Sequence, residues 1–194
     1  VGNFPNSIVN YTAGSIQIYI EALGGEHFGV KDYLSARKTY WADMRNILND
    51  MGNNVDTSRT NLFMNFLNVT GENKVLQSNF ENQNKVKSSF NMSNLRPMAK
   101  AGEHMMHAQT MYAVMKGIKV MGPQGKFIDK NGKIVKDKKK AASLDEMIEF
   151  KRNKKTGEIS MTLSPFVQST TFTRTGTPAD ILVETRNLIK NKII

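Results

Sequence analysis

The chain has 194 residues, a formal net charge of +10 at pH 7 and 39% hydrophobic residues, which suits one compact domain or two small lobes and excludes two full domains. Cysteine is absent, which rules out disulfides, thiolate metal sites and cysteine nucleophiles together, and makes life inside a cell or a virion more natural than secretion. The best apolar run, Ser15 to Leu23, falls well short of the roughly 18 to 20 residues that a membrane-spanning helix requires, so a soluble chain with no membrane-spanning segment is expected.

Val1-Gly2-Asn3-Phe4-Pro5 is neither a charged leader nor an apolar signal, and the expectation is a segment of a longer polypeptide. Asparagine occurs 20 times, which suggests an AT-rich genome more than any particular fold. Residues 7 to 23 carry Ile8, Val9, Ile16, Ile18 and Ile20 in partial alternation but run into Gly24-Gly25, and they read as a helix. Tyr33, Leu34, Tyr40, Trp41, Met44, Ile47, Leu48 and Met51 then repeat at three- and four-residue spacing. That spacing predicts an amphipathic helix over about 30–51, stopped by a left-handed cap at Gly52.

A polar turn, Asn53 to Thr60, precedes a short helix with Leu62, Phe63, Phe66, Leu67 and Val69 on one side. Residues 72–94 are dominated by Asn, Gln, Ser and Lys, with helix and extended loop both open, and read as a loosely packed connector. From Pro97 a long helix is expected to about Gly117, with Ala101, Met105, Ala108, Met111, Tyr112, Met115 and Ile118 as its packing stripe. Two β-hairpins are predicted next. The first turns at Asp129-Lys130-Asn131-Gly132, where Asn-Gly supplies the positive backbone angles of tight turns, and the second turns at Lys154 to Gly157. Between them Ser143 caps a short helix with Asp145 and Glu146 in its first turn, and Thr177-Pro178-Ala179-Asp180 starts a last helix over 178–192.

The fold class is therefore mainly α with one or two small β-hairpins. It is organised as an N-terminal helical lobe with a polar connector (1–94), followed by the long helix, the basic hairpin region and the C-terminal helix (95–194).

The densest group of reactive side chains is Gly102-Glu103-His104-Met105-Met106-His107. A zinc-protease helix presents two histidines four apart with a glutamate directly after the first; here the histidines are three apart and the glutamate comes before them. The template fails, and histidines bordering a Met and Ala packing face read as hydrogen-bonding structural residues. A stand-alone metallohydrolase would rest on His104 and His107 alone. Met98, Met105, Met106, Met111, Met115 and Met121 read as core packing, with a protein contact as the other use of their flexible thioethers. Gly122 to Phe127 lacks the spacing of a phosphate loop, and Asp129 to Lys133 lacks the acidic ligands of a calcium loop. No catalytic residue, cofactor motif or metal-ligand set emerges.

Charge is the strongest signal that packing does not explain. Between Lys116 and Lys155, 13 Lys and Arg face 5 Asp and Glu, a net of +8 that leaves only +2 for the rest of the chain. Lys136, Lys138, Lys139 and Lys140 beside one hairpin, and Lys151, Arg152, Lys154 and Lys155 in the next, are the candidate contacts to nucleic acid or another polyanion. Only Phe127 and Phe150 punctuate the stretch, so little aromatic surface is available for base stacking. Such contact would read backbone phosphate without sequence choice.

The helix "GEHMMHAQTMYAVMKGIKV", the "GKFIDKNGKIVK" hairpin, and "SLDEMIEFKRN" leading into "KKTGEISM" together resemble a segment recurring in very large virion proteins of crAss-like tailed phages. The resemblance is one of pattern and order and covers about residues 35 to 160. It implies a non-enzymatic structural or cargo component of a phage virion, packed in the tail or portal region or ejected with the genome. The partners it implies are other virion proteins and, through non-specific backbone contacts, phage DNA. The rival is a nucleic-acid-contacting accessory domain of a virion-packaged RNA polymerase.

Overall fold

The computed structural model describes residues 4–53, 57–67, 96–152, 159–172 and 176–193, which are mostly helical with short antiparallel strands in two small sheets. The helices are α1 (Phe4–Gly24), α2 (Val30–Asn53), α3 (Arg59–Phe66), α4 (Arg96–Gly117) and α5 (Pro178–Ile193). The strands are β1 (Val120–Met121), β2 (Ile148–Arg152), β3 (Ile159–Leu163) and β4 (Ser169–Thr170). No helix among the described residues is long and apolar enough to cross a membrane.

The centre is α4. Met111, Tyr112, Ala113, Val114 and Met115 are all fully buried, so this part of the helix is enclosed on every side rather than along one stripe. The enclosure is built by α1, α2, α3 and α5, each of which packs on it. Ala101 of the expected stripe, and Met98 before it, lie where only the helix backbone is described. Each fully buried Met or Tyr contributes about 1.5 to 3 kcal/mol through removal of apolar surface from water. Phe63 of α3 meets Tyr112 edge-on at 5.8 Å and Phe150 of β2 at 4.8 Å, which joins helical core to hairpin.

Helix α1 stops where the sequence suggests, at Gly24, and Gly25 takes φ +68. In α2 the expected left-handed cap at Gly52 is replaced by continuing helix through Asn53. Two residues before Gly52, the buried Asp50 carboxylate of α2 accepts hydrogen bonds from the Thr57 and Ser58 amides at 3.0 and 2.7 Å, which ties the end of α2 to the start of α3. The connector proposed for 72–94 lies outside the described residues.

Helix α4 ends against the α1–α2 turn, where a Cβ on Gly117 would come within 2.2 Å of the His27 carbonyl oxygen, so only glycine fits. The chain then enters a compact β region. Strand β1 pairs with the distant β4 (Val120 opposite Thr170, Met121 opposite Ser169), and β2 pairs with β3 over five residues as the second predicted hairpin; its turn lies outside the described residues. The first predicted hairpin is reduced to a turn and one bridge, Ile128 to Ile134. Its turn carries positive φ only at Gly132 (+79), with the Gly132 amide donating to the Asp129 carbonyl and the Asp129 amide donating to the Lys133 carbonyl, the pattern of a three-residue loop with a glycine bulge. Pairing does not extend because the chain just before Phe127 is a tight turn, Pro123–Gly125, with Gly125 at φ +65, while the Ile128 N–H and C=O face the opposite edge, to Val120 and Ala142.

Ser143 caps a short 3-10 turn, Leu144–Met147, with Glu146 completing a capping box. At the end of the chain Thr177 and Asp180 exchange hydrogen bonds at the start of α5, which buries Ile181, Thr185 and Ile189 at four-residue spacing. Buried residues from Ile18 to Ile189 form one hydrophobic cluster that includes α1, α2, the β region and α5.

Candidate polyanion-binding site

An open groove of about 440 Å³ lies where the start of α2, the end of α4, the 129–131 turn and the 139–146 segment meet. Five lysines line it, Lys116, Lys119, Lys130, Lys139 and Lys140, with Asp32, Asp129 and Glu146 as its acids, a balance of 5 − 3 = +2. The lysines divide into two kinds. Lys116 Nζ donates to Asp145 Oδ2 at 3.0 Å, with the two side chains only 14% and 8% exposed, and Ser143 Oγ donates to the other oxygen of that carboxylate. This pair pins the end of α4 to the 3-10 turn. Lys119 donates to the Lys116 carbonyl and sits 3.9 Å from Asp32. Lys130, Lys139 and Lys140, by contrast, are solvent-facing and form no ion pair among the described residues.

Local hydrogen bonding explains why these three stay unpaired beside acids. Asp129 Oδ1 accepts from the Asn131 and Lys133 amides, Asp137 Oδ1 accepts from the Lys139 amide, and Glu146 Oε2 accepts from the Ser143 amide. Lone pairs of these carboxylates point at backbone N–H groups and fix the turns that carry the lysines. The ammonium groups are left to solvent or to an external anion.

Of the residues singled out in the sequence, Lys139 and Lys140 line the groove, and Lys136 and Lys138 are exposed on the same loop outside it. Lys151 and Arg152 are exposed on β2, away from the groove lining, with Lys151 Nζ 3.8 Å from Glu149. Lys154 and Lys155 lie outside the described residues. The sequence reading missed Lys116, Lys119 and Lys130 as groove residues. Lys130 was legible as an exposed turn cation, but Lys116 and Lys119 reach the site only because α4 ends there.

His104 has a structural role. Its Nε2 lies 3.0 Å from Asn61 Oδ1, and its Nδ1 lies 3.4 Å from the Tyr40 hydroxyl. Asn61 Nδ2 donates to Asp50 Oδ2 at 3.0 Å, which turns its Oδ1 toward the histidine and makes Nε2 the protonated nitrogen. The result is a directed chain, Tyr40 hydroxyl to His104 to Asn61 to Asp50, that joins α2, α4 and α3. Burial, helped by neighbouring His107, depresses the His104 pKa to about 4, and burial pushes Tyr40 up to about 12. Burial would raise Asp50, but the hydrogen bonds from Thr57 and Ser58 outweigh it and hold the carboxyl below its usual value. No group of three His, Asp or Glu among the described residues could hold a metal ion.

Comparison with protein-family models, with curated proteins and with solved structures found no match.

Proposed function

We propose that this chain is a non-enzymatic structural or cargo component of a phage virion that rests its lysine groove on nucleic-acid phosphate. The observation that carries the phosphate contact is the set of three solvent-facing lysines, Lys130, Lys139 and Lys140, held by rigid turns beside one groove without ion-pair partners among the described residues. Three unpaired lysines support about three phosphate contacts and so weak, salt-sensitive, sequence-blind binding. The likeness of the 35–160 pattern to giant virion proteins of crAss-like phages supports the assignment to a particle, in the tail or capsid interior beside other virion proteins.

Binding of two unrelated double-stranded DNA fragments, titrated over salt concentration, tests the contact. Equal affinity for both fragments is expected. The Lys130→Gln/Lys139→Gln/Lys140→Gln variant should lower the slope of log K against log salt by about 2 to 3, since each neutralised phosphate contributes about 0.9. An unchanged slope removes the groove from the reading. Locating the chain in a particle map tests the assignment: density in the tail or portal lumen identifies cargo, a symmetric ring identifies a structural component, and absence from the particle overturns both.

A further inference from the structure

A second surface lies on α2, apart from the lysine groove. Leu34, Trp41 and Leu48 are spaced by seven residues and are 53%, 51% and 60% exposed. Lys31, Lys38 and Arg45 repeat at the same interval and are also exposed. At 100° per residue these are two parallel lines on the outer face of α2, each about 21 Å long. The apolar line lies on the side of Tyr33 and Arg37, which form one wall of a cleft against α1, and the cationic line lies one step further out. Ile16 and Tyr19 of α1 form the opposite wall of that cleft and are themselves exposed.

No exposed residue of α2 whose side chain is described is acidic, and Lys31, Lys38 and Arg45 form no ion pair among the described residues. The acids of α2 point elsewhere. Asp32 accepts from the Gly29 amide, Asp43 from Thr60, and Asp50 from Thr57 and Ser58. The face is therefore polarised across its width, apolar toward α1 and uniformly positive on the far side.

We propose that this face docks an amphipathic helix of a partner protein that carries an acidic flank. An apolar residue every seventh position keeps step with a second helix packed alongside, and a line of cations beside that seam selects a partner with Glu or Asp on the matching side. Two copies of this chain would bring six cations and no carboxylate of this face together, so like-charge repulsion disfavours self-pairing. Nucleic acid gives Leu34 and Leu48 nothing to pack on. A bilayer surface presents charge on both sides of an embedded helix pair, whereas α1 contains no Lys or Arg.

Trp41 is the single tryptophan of the chain, so its emission reports on this face alone. The probes are a synthetic 28-residue helical peptide with Leu at every seventh position and Glu along one flank, and the same peptide with Lys replacing Glu. The Glu peptide should shift Trp41 emission to the blue and saturate, with affinity falling as salt rises. Lys38→Glu/Arg45→Glu should weaken the Glu peptide at least tenfold and gain binding to the Lys peptide, while Lys130→Gln/Lys139→Gln/Lys140→Gln leaves both unchanged. All these positions are exposed, and circular dichroism checks that each variant folds. The proposal is overturned if neither peptide shifts the emission or if both bind alike. It is equally overturned if the shift appears only with phosphatidylglycerol vesicles, only with single-stranded DNA, or on raising the protein concentration alone.

Discussion

The two ends of the described part of α4 treat charge in opposite ways. Around His104 one chain of polar side chains is answered link by link: Asp50 receives Thr57, Ser58 and Asn61, Asn61 receives His104, and His104 faces the Tyr40 hydroxyl. Twelve residues on, about 18 Å along the helix, Lys116 is answered by Asp145, but Lys130, Lys139 and Lys140 beside it are not. A buried polar group without partners costs about 1 to 3 kcal/mol, so breaking any link of this chain destabilises the fold. Exposed cations lose almost nothing by standing alone, so the second region is free to serve something outside the chain. Completeness marks structure here, and unanswered charge marks the surface available for function.

The largest test of that contrast is Asp50→Ala, which leaves the Thr57 and Ser58 amides and the Asn61 side chain without their acceptor. It should destabilise the fold by about 3 to 4 kcal/mol in chemical denaturation. A loss under 1 kcal/mol would mean that the network adds little to stability.

Next comes pH. His104 titrates at about 4 in the folded chain and near 6.5 when unfolded. Between those values the unfolded state binds more protons, so stability falls as pH drops from 6.5 toward 4 and is fully present above 6.5. The loss should be roughly 2 kcal/mol, less than the whole shift converts to because the ring is only partly buried. His104→Gln should flatten this window, and an unchanged pH profile in that variant would assign the titration to another group. Asp50, with its lowered carboxyl pKa, acts in a separate window that opens only below the ordinary carboxylate value.

The smallest effect belongs to the groove. Lys130→Gln/Lys139→Gln/Lys140→Gln should change folding stability by no more than about 0.5 kcal/mol, by the same denaturation measurement, because no intramolecular partner is lost. A larger loss would show these lysines to be structural and would erase the distinction between the two ends.

Much of the helical architecture was legible because it rests on local rules. Three- and four-residue apolar spacing gave α2 and α4, and Thr177-Pro178-Ala179-Asp180 gave the start of α5. The reading failed where a distant partner overrode a local signal. Asn131-Gly132 promised a hairpin ladder, but the Pro123–Gly125 turn cuts its first strand short; Gly52 promised a stop, but α2 runs through it. The groove was half legible, since composition located the lysine-rich stretch and could not separate a lysine neutralised by Asp145 from one left to solvent.

The amino-acid sequence alone determined the periodic helices, the caps at Ser143 and Thr177, the absence of cysteine chemistry and the concentration of positive charge between Lys116 and Lys155, because spacing, capping and charge count act within a few residues. Only the tertiary structure decided which charges are answered. Lys116 meets Asp145 across 29 residues and His104 meets Asn61 across 43, and such separations carry no local signature. The same holds for the outer face of α2: its two seven-residue lines can be counted in the sequence, but that they face solvent depends on where α1, α3 and α4 pack.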